Sequence, residues 1–108
     1  MKPKPLIQPE LKRIIKPPFA WIDRRFLFDG FWDALSPQQN LLYLFLCLVS
    51  DRDGLSFYSY DKICQHLKTD LDTYIQARNR LIKLKLIDLK DHVFQVLSLP
   101  QQNQRENQ

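Results

Sequence analysis

The stretch "SPQQNLLYLFLCLVS", residues 36 to 50, constrains this chain more than any other. Its apolar run from Leu41 to Val49 has nine residues, well short of the roughly 20 that cross a bilayer. It therefore belongs in a protein interior. Start signals precede it: Ser36 stands at an N-cap, Pro37 at the first helical position, and Gln39 is spaced to close a capping box. Because the run is apolar nearly all round, it predicts the central helix of a small core. The rest of the chain has to cover it.

With 108 residues, 44% of them hydrophobic, the chain is long enough for one compact domain and too short for two. Composition shifts set the expected limits. Residues 1–18 hold five of the seven prolines and five Lys/Arg against one Glu, which predicts a flexible basic arm that cannot bury enough apolar surface to fold alone. Residues 100–108, "PQQNQRENQ", read as a disordered polar tail. Between them, a domain over 19–99 carries equal numbers of acidic and basic side chains, so the whole net charge of +4 sits on the arm. The N-terminus lacks an apolar signal-peptide core, and Cys47 and Cys64 lack metal-ligand spacing. Reduced structural cysteines in a cytoplasmic protein are the expectation.

Along the domain, "WIDRRFLFDGFWDAL" (21–35) predicts a short helix broken at Gly30, with Asp23 as its N-cap. After the central helix comes the charged turn "DRDG", then a short strand at 55–57, and a helix of about two turns capped by Ser59. "KTD" makes a corner, and Asp70 caps a long helix over 71–84. Two Val/Ile/Leu/Phe runs at 86–89 and 93–98 predict a hairpin, although its loop has no glycine. The order is helix, helix, strand, short helix, long helix, strand, strand.

"FYSYDKICQHLKTDLDTYIQARNRLIKLKLI" resembles the winged helix-turn-helix pattern of bacterial DNA-binding domains. Leu67 ends the short helix, Asp70 takes the cap, Thr73 and Tyr74 stand at the family's Thr-Val positions, Leu81 follows seven residues later, and Leu86 and Ile87 open the wing. The resemblance covers residues 36 to 98 and implies a mainly α fold with a small β-hairpin wing. Two positions depart from it. Lys85 replaces the usual glycine before the Leu-Ile pair, so the helix end is either strained or one residue longer. Tyr74 replaces a small branched residue, implying a wider gap between helices or a phenol oxygen at the surface. The segment ahead of the central helix is similar to winged-helix domains of bacterial replication-initiation and mobile-element proteins.

On a wheel of about 100° per residue, the long helix turns Leu71, Tyr74, Ala77, Leu81, Ile82 and Leu84 to one side. Asp72, Thr73, Gln76, Asn79, Arg80 and Lys83 fall on the other. The resemblance implies that this outer face enters the major groove, where Arg pairs with guanine edges and Asn or Gln with adenine edges. Gln76, Asn79 and Arg80 are the candidate base readers. Thr73, Lys83, Lys85, Lys90 of the wing, and Lys12, Arg13 and Lys16 of the arm are the candidate backbone contacts. Against this, any surface helix has a polar arc, and Asp70 and Asp72 carry negative charge at the end that would enter the groove; as caps they need no further role. Arg78 falls inside the apolar arc, so it is expected to snorkel to an edge or to meet Asp23, Asp29 or Asp33. Arg24 and Arg25 suit phosphate contacts and salt bridges equally.

His66 and His92 lie in no nucleophile or zinc motif, and both glycines sit in "DG" turns, so neither enzymatic activity, a metal, a cofactor nor a small-molecule substrate is expected. The leading function is sequence-reading binding of double-stranded DNA in replication initiation or transcription control, for instance on a plasmid or other mobile element. The alternative is a homodimer or protein-partner module without DNA readout, built on exposed apolar residues such as Ile75, Phe57, Tyr58 and Tyr60.

Overall fold

The computed structural model describes residues 5–101. Most of the polar tail, and Lys2 and Lys4 of the arm, lie outside the described residues. Pro9–Leu11 form a single 3-10 turn, and the arm segment from Pro5 to Pro18 is exposed throughout.

Two one-turn helices follow, α1 (Arg25–Phe28) and α2 (Phe31–Ala34). Gly30 separates them at φ +91°, a left-handed conformation that glycine adopts without steric cost. This break lets Phe26, Phe31 and Leu35 all reach the core. The cap differs from expectation. Arg24 occupies the N-cap position, while the Asp23 carboxylate accepts the Arg25 amide at 2.9 Å and is gripped by the Arg25 guanidinium at 2.6 Å. That pair settles Arg25 as a salt-bridged residue.

The helix α3 (Pro37–Val49) begins on the expected reciprocal box: Ser36 Oγ accepts from the Gln39 amide at 3.2 Å, and Gln39 Oε1 accepts from the Ser36 amide at 2.9 Å. Leu42, Tyr43, Leu46 and Cys47 are buried, and Tyr43 stacks on Phe26 with ring centroids 4.3 Å apart. Burial on all sides does not occur. Leu48 is 66% exposed and Leu41 41%, because the neighbours of α3 (α1, α5 and the sheet) leave one side of the helix uncovered.

The turn after α3 ends in Gly54 (φ +88°) and leads into β1 (Leu55–Ser56). Ser59 holds the N-cap position of α4 (Tyr60–Leu67) without capping it by its side chain; its hydroxyl serves the Asp61 carboxylate instead. The corner from α4 into α5 (Leu71–Lys83) turns on Lys68 at φ +54°. Helix α5 packs on α3 and α4. It stops at Lys83 because Lys85 is left-handed, φ +60°.

The strands β2 (Ile87–Lys90) and β3 (Val93–Val96) pair antiparallel with Ile87 opposite Val96 and Leu89 opposite Phe94. Asp91 and His92 join them at φ +50° and +68°, the two successive left-handed residues that a type I′ hairpin turn requires. The short β1 pairs with the other side of β3, so the wing hairpin is part of a three-stranded sheet ordered β1-β3-β2, with β3 in the middle. No helix among the described residues is long and apolar enough to cross a membrane.

Candidate nucleic-acid interface

The helix α5 sorts its side chains as its periodicity requires. Tyr74, Ala77 and Leu81 are buried against the core, with Ile75, Ile82 and Leu84 packed at its margin. Ile75 is thus a packing residue, not an exposed docking point. Gln76, Asn79 and Lys83 are exposed, and Thr73 and Arg80 are half-buried on the same side. Leu71, assigned to the apolar arc, is instead 48% exposed at the first position of the helix.

Charge is divided along the helix axis. At the N-terminal end Asp70 Oδ1 accepts the Thr73 amide at 2.8 Å. The Thr73 hydroxyl and this amide hold the Asp70 carboxyl below its ordinary range. Asp72 adds a second negative charge in the first turn; Arg80 and Lys83 stand in the last turn. This arrangement complements the helix dipole. It also makes the middle and C-terminal half, from Gln76 to Lys83, the part of α5 suited to a polyanion.

Tyr74 sits in a close-packed setting, 3% exposed. Between its ring, Gln38 and Leu42 of α3, and Leu67 and Thr69 of the corner there is no space wide enough for a water. Neither a wider helix gap nor a surface phenol results from the Tyr74 substitution. Burial pushes the phenol pKa up. Arg78, one turn later, lies over that ring with its guanidinium carbon 5.8 Å from the centroid, a cation–π geometry. Its Nε and Nη2 donate to Asn79 Oδ1 at 3.3 and 3.1 Å. Arg78 therefore does not pair with Asp23, Asp29 or Asp33; it snorkels along Tyr74 and ends on Asn79. Tyr74 and Arg78 stand at the i, i+4 spacing that brings helix side chains together, a signal in the sequence that would have found the pair.

The remaining candidates lie apart from the α5 face. Lys85 is exposed in its left-handed cap, and Lys90 is exposed at the end of β2. The two-residue wing turn keeps Lys90 between Asp88 and Asp91, so the wing brings no net positive charge. Lys12, Arg13 and Lys16 are exposed on the arm. Pro18, Phe19, Ala20, Trp21 and Asp23, on the segment that joins arm to domain, line a groove of about 540 Å³ together with Tyr43, Cys47, Gly54 and Val96. Burial pushes the Cys47 thiol up to about 11. His66 meets Phe45 at a tilt and Tyr58 edge-on, with centroids 5.4 and 6.1 Å away, which makes it and Tyr58 parts of one aromatic cluster. Phe57 and Tyr60 beside them are exposed. Among the described residues no three His, Cys, Asp or Glu side chains converge in a way that could hold a metal.

A short helix, a left-handed corner, a longer helix with one polar face, and an antiparallel wing define a winged helix-turn-helix domain. The family model for the helix-turn-helix domain matches residues 34–87, from the end of α2 to the first residue of β2, and the chain belongs to that family. Membership suggests a DNA partner. No curated protein and no solved structure matches the chain.

Proposed function

We propose that the protein reads a sequence in double-stranded DNA, with α5 in the major groove. The observation that carries this reading is the outer face of α5, where Gln76, Asn79, Arg80 and Lys83 lie together on the helix that follows the turn. Arg, Asn and Gln can each make two hydrogen bonds to a base edge, and lysines position the protein on phosphates. The domain is neutral, so non-specific affinity comes from Lys12, Arg13 and Lys16 of the arm, which release counterions from the duplex. Lys85 and Lys90 add further backbone contacts. The role is replication initiation or transcription control of a plasmid or similar element in the cytoplasm, without enzymatic chemistry.

Binding to duplexes, measured against salt concentration, tests this. The full chain, a version lacking residues 1–18, and the double variant Asn79→Ala, Arg80→Ala are compared. The salt slope should shrink when the arm is removed, and sequence preference should fade in the double variant. Failure of all three to bind at low salt would sink the proposal.

A second reading, a protein-interaction module, is favoured by one observation. Trp32, Leu41 and Leu48 are exposed on neighbouring parts of α2 and α3, and a groove of about 400 Å³ lies between Trp32, Leu41 and Leu44. Self-association in ultracentrifugation that is lost in Leu41→Glu would support it; a strict monomer that captures no partner would leave it without support.

A further inference from the structure

We propose that Arg78 sets the base that Asn79 recognises, turning Asn79 from an adenine reader into a guanine reader. The inference rests on the reading of α5 as the base-contacting helix and concerns one residue pair within it. An asparagine recognises adenine with both ends of its amide: Oδ1 accepts from the adenine N6 amino group while Nδ2 donates to N7. In this protein Oδ1 already accepts two hydrogen bonds, from Arg78 Nε at 3.3 Å and Nη2 at 3.1 Å. A carbonyl oxygen has two lone pairs, so both are taken. The Nδ2 hydrogens have no partner among the described residues, which leaves the amide a pure donor.

A pure donor suits an acceptor-only edge. Guanine presents N7 and O6 side by side, both acceptors, whereas adenine presents an amino group where O6 would be. That amino group would face Asn79 with nothing to receive its hydrogen, and an unpaired donor in a dry interface is costly. The positive charge of Arg78 beside Oδ1 acts in the same direction, favouring the electronegative guanine edge.

Arg78 can hold this position because it is itself held. Its side chain lies over the buried Tyr74 ring, 5.8 Å from the centroid, and Tyr74 is fixed between α3 and the α4–α5 corner. A core aromatic residue thus orients an arginine, and the arginine orients the reading amide. Arg78 is a positioning residue here. Its remaining donors are not required to touch a base.

The test is selection of bound duplexes from a randomised pool by the full-length protein, with Asn79→Ala, Arg78→Ala and Arg78→Lys selected in parallel. The position whose preference flattens in Asn79→Ala is the one that Asn79 reads. At that position the wild-type protein should prefer guanine over adenine by about tenfold, the scale of one good base contact. Arg78→Ala should move that preference to adenine and leave other positions unchanged. Arg78→Lys, whose ammonium can still donate to Oδ1, should restore guanine in part. Each ratio is a competition within one protein sample, so a lower folded fraction in Arg78→Ala does not alter it. An adenine preference in the wild type would overturn the inference, as would an Arg78→Ala variant that weakens all sequences equally, which would make Arg78 a phosphate contact. Sequence preference that Arg78 variants leave untouched removes this inference alone; absence of any sequence preference in the wild type removes the reading of α5 as well.

Discussion

The Leu86 amide donates to the Leu81 carbonyl at 3.0 Å, closing the C-terminus of α5 around a lysine. Lys85 donates in turn to Ile82 at 3.0 Å, and the two bonds make a Schellman motif, whose left-handed position is most often glycine. Leu81 and Leu86 are both fully buried in the core cluster, as suits the hydrophobic pair that accompanies the motif. The α4 end repeats the pattern with Lys68, where the Thr69 amide reaches Cys64 at 3.1 Å. A left-handed residue with a Cβ costs about 1–2 kcal/mol, and glycine gives back part of that through greater freedom when unfolded. Lys85→Gly should therefore stabilise the domain by about 1 kcal/mol, raising its thermal midpoint by several degrees. Calorimetry checks this, and an unchanged or lower midpoint would mean that the lysine stem contributes packing that outweighs the strain. If Lys85 also meets a phosphate, the more stable variant will bind DNA less tightly.

Gly54 makes the opposite case. Its carbonyl accepts the Val96 amide at 2.8 Å, and a Cβ added there would stand 2.5 Å from the Val96 carbonyl oxygen. The obstacle is sheet backbone, which cannot rotate away, and φ is +88°. Gly54→Ala should cost about 2–4 kcal/mol from conformational strain and overpacking together. Urea unfolding measures it; a loss under about 0.5 kcal/mol would show that β3 gives way easily.

These two positions also mark where local sequence and tertiary structure part. The capping box at Ser36 and Gln39, the break at Gly30 and the two faces of α5 are legible because each depends on residues within a turn or two of one another. The Lys85 departure was visible as a missing glycine, but the choice between strain and a longer helix was not. That choice is made by Leu81 and Leu86, whose burial fixes where the chain must turn. The glycine-free Asp91-His92 turn is similar: pairing of Ile87 with Val96 and Leu89 with Phe94 imposes it. The uncovered side of α3 could not be read from an all-apolar run, since hydrophobicity gives no count of how many neighbours a helix will have. At the candidate site, Gln76, Asn79, Arg80 and Lys83 fell where the periodicity put them. Arg78 did not find an acid, because Tyr74 four residues earlier offered it a ring and Asn79 an acceptor.

The cap of α5 should make stability pH-dependent. Hydrogen bonds from the Thr73 hydroxyl and amide hold the Asp70 carboxyl below its ordinary value of 3.8. A carboxyl depressed by folding stabilises the native state fully above the unfolded value, and that contribution is lost as pH falls through the lower folded value. Asp23, depressed by Arg25, and Asp61, depressed by Ser59, act with the same sign. The thermal midpoint should hence fall as the solution is acidified from about pH 5 towards pH 2. Asp70→Asn keeps an oxygen for the Thr73 amide but cannot titrate, so its profile should be flatter than the wild-type profile without being level. Superimposable profiles would show that the Asp70 bonds are not maintained in solution.

Arg80 and Lys83 provide the sharpest separation of roles on the α5 face, because both are cations in the last turn and only their geometry differs. Arg80 is half-buried beside Asn79 and presents a planar fork of donors; Lys83 is exposed, a flexible point charge one turn further on. The fork matches guanine O6 and N7, while the ammonium matches a phosphate. Arg80→Ala should cost about 1–3 kcal/mol on the preferred duplex and relax specificity at one base pair. Lys83→Ala should weaken binding about equally on all sequences and reduce the salt slope by about 1. Titrations of preferred and scrambled duplexes at several salt concentrations distinguish the two. Should both variants lower affinity uniformly, with specificity intact, Arg80 would be a backbone contact, and base readout on this helix would rest with Gln76 and Asn79.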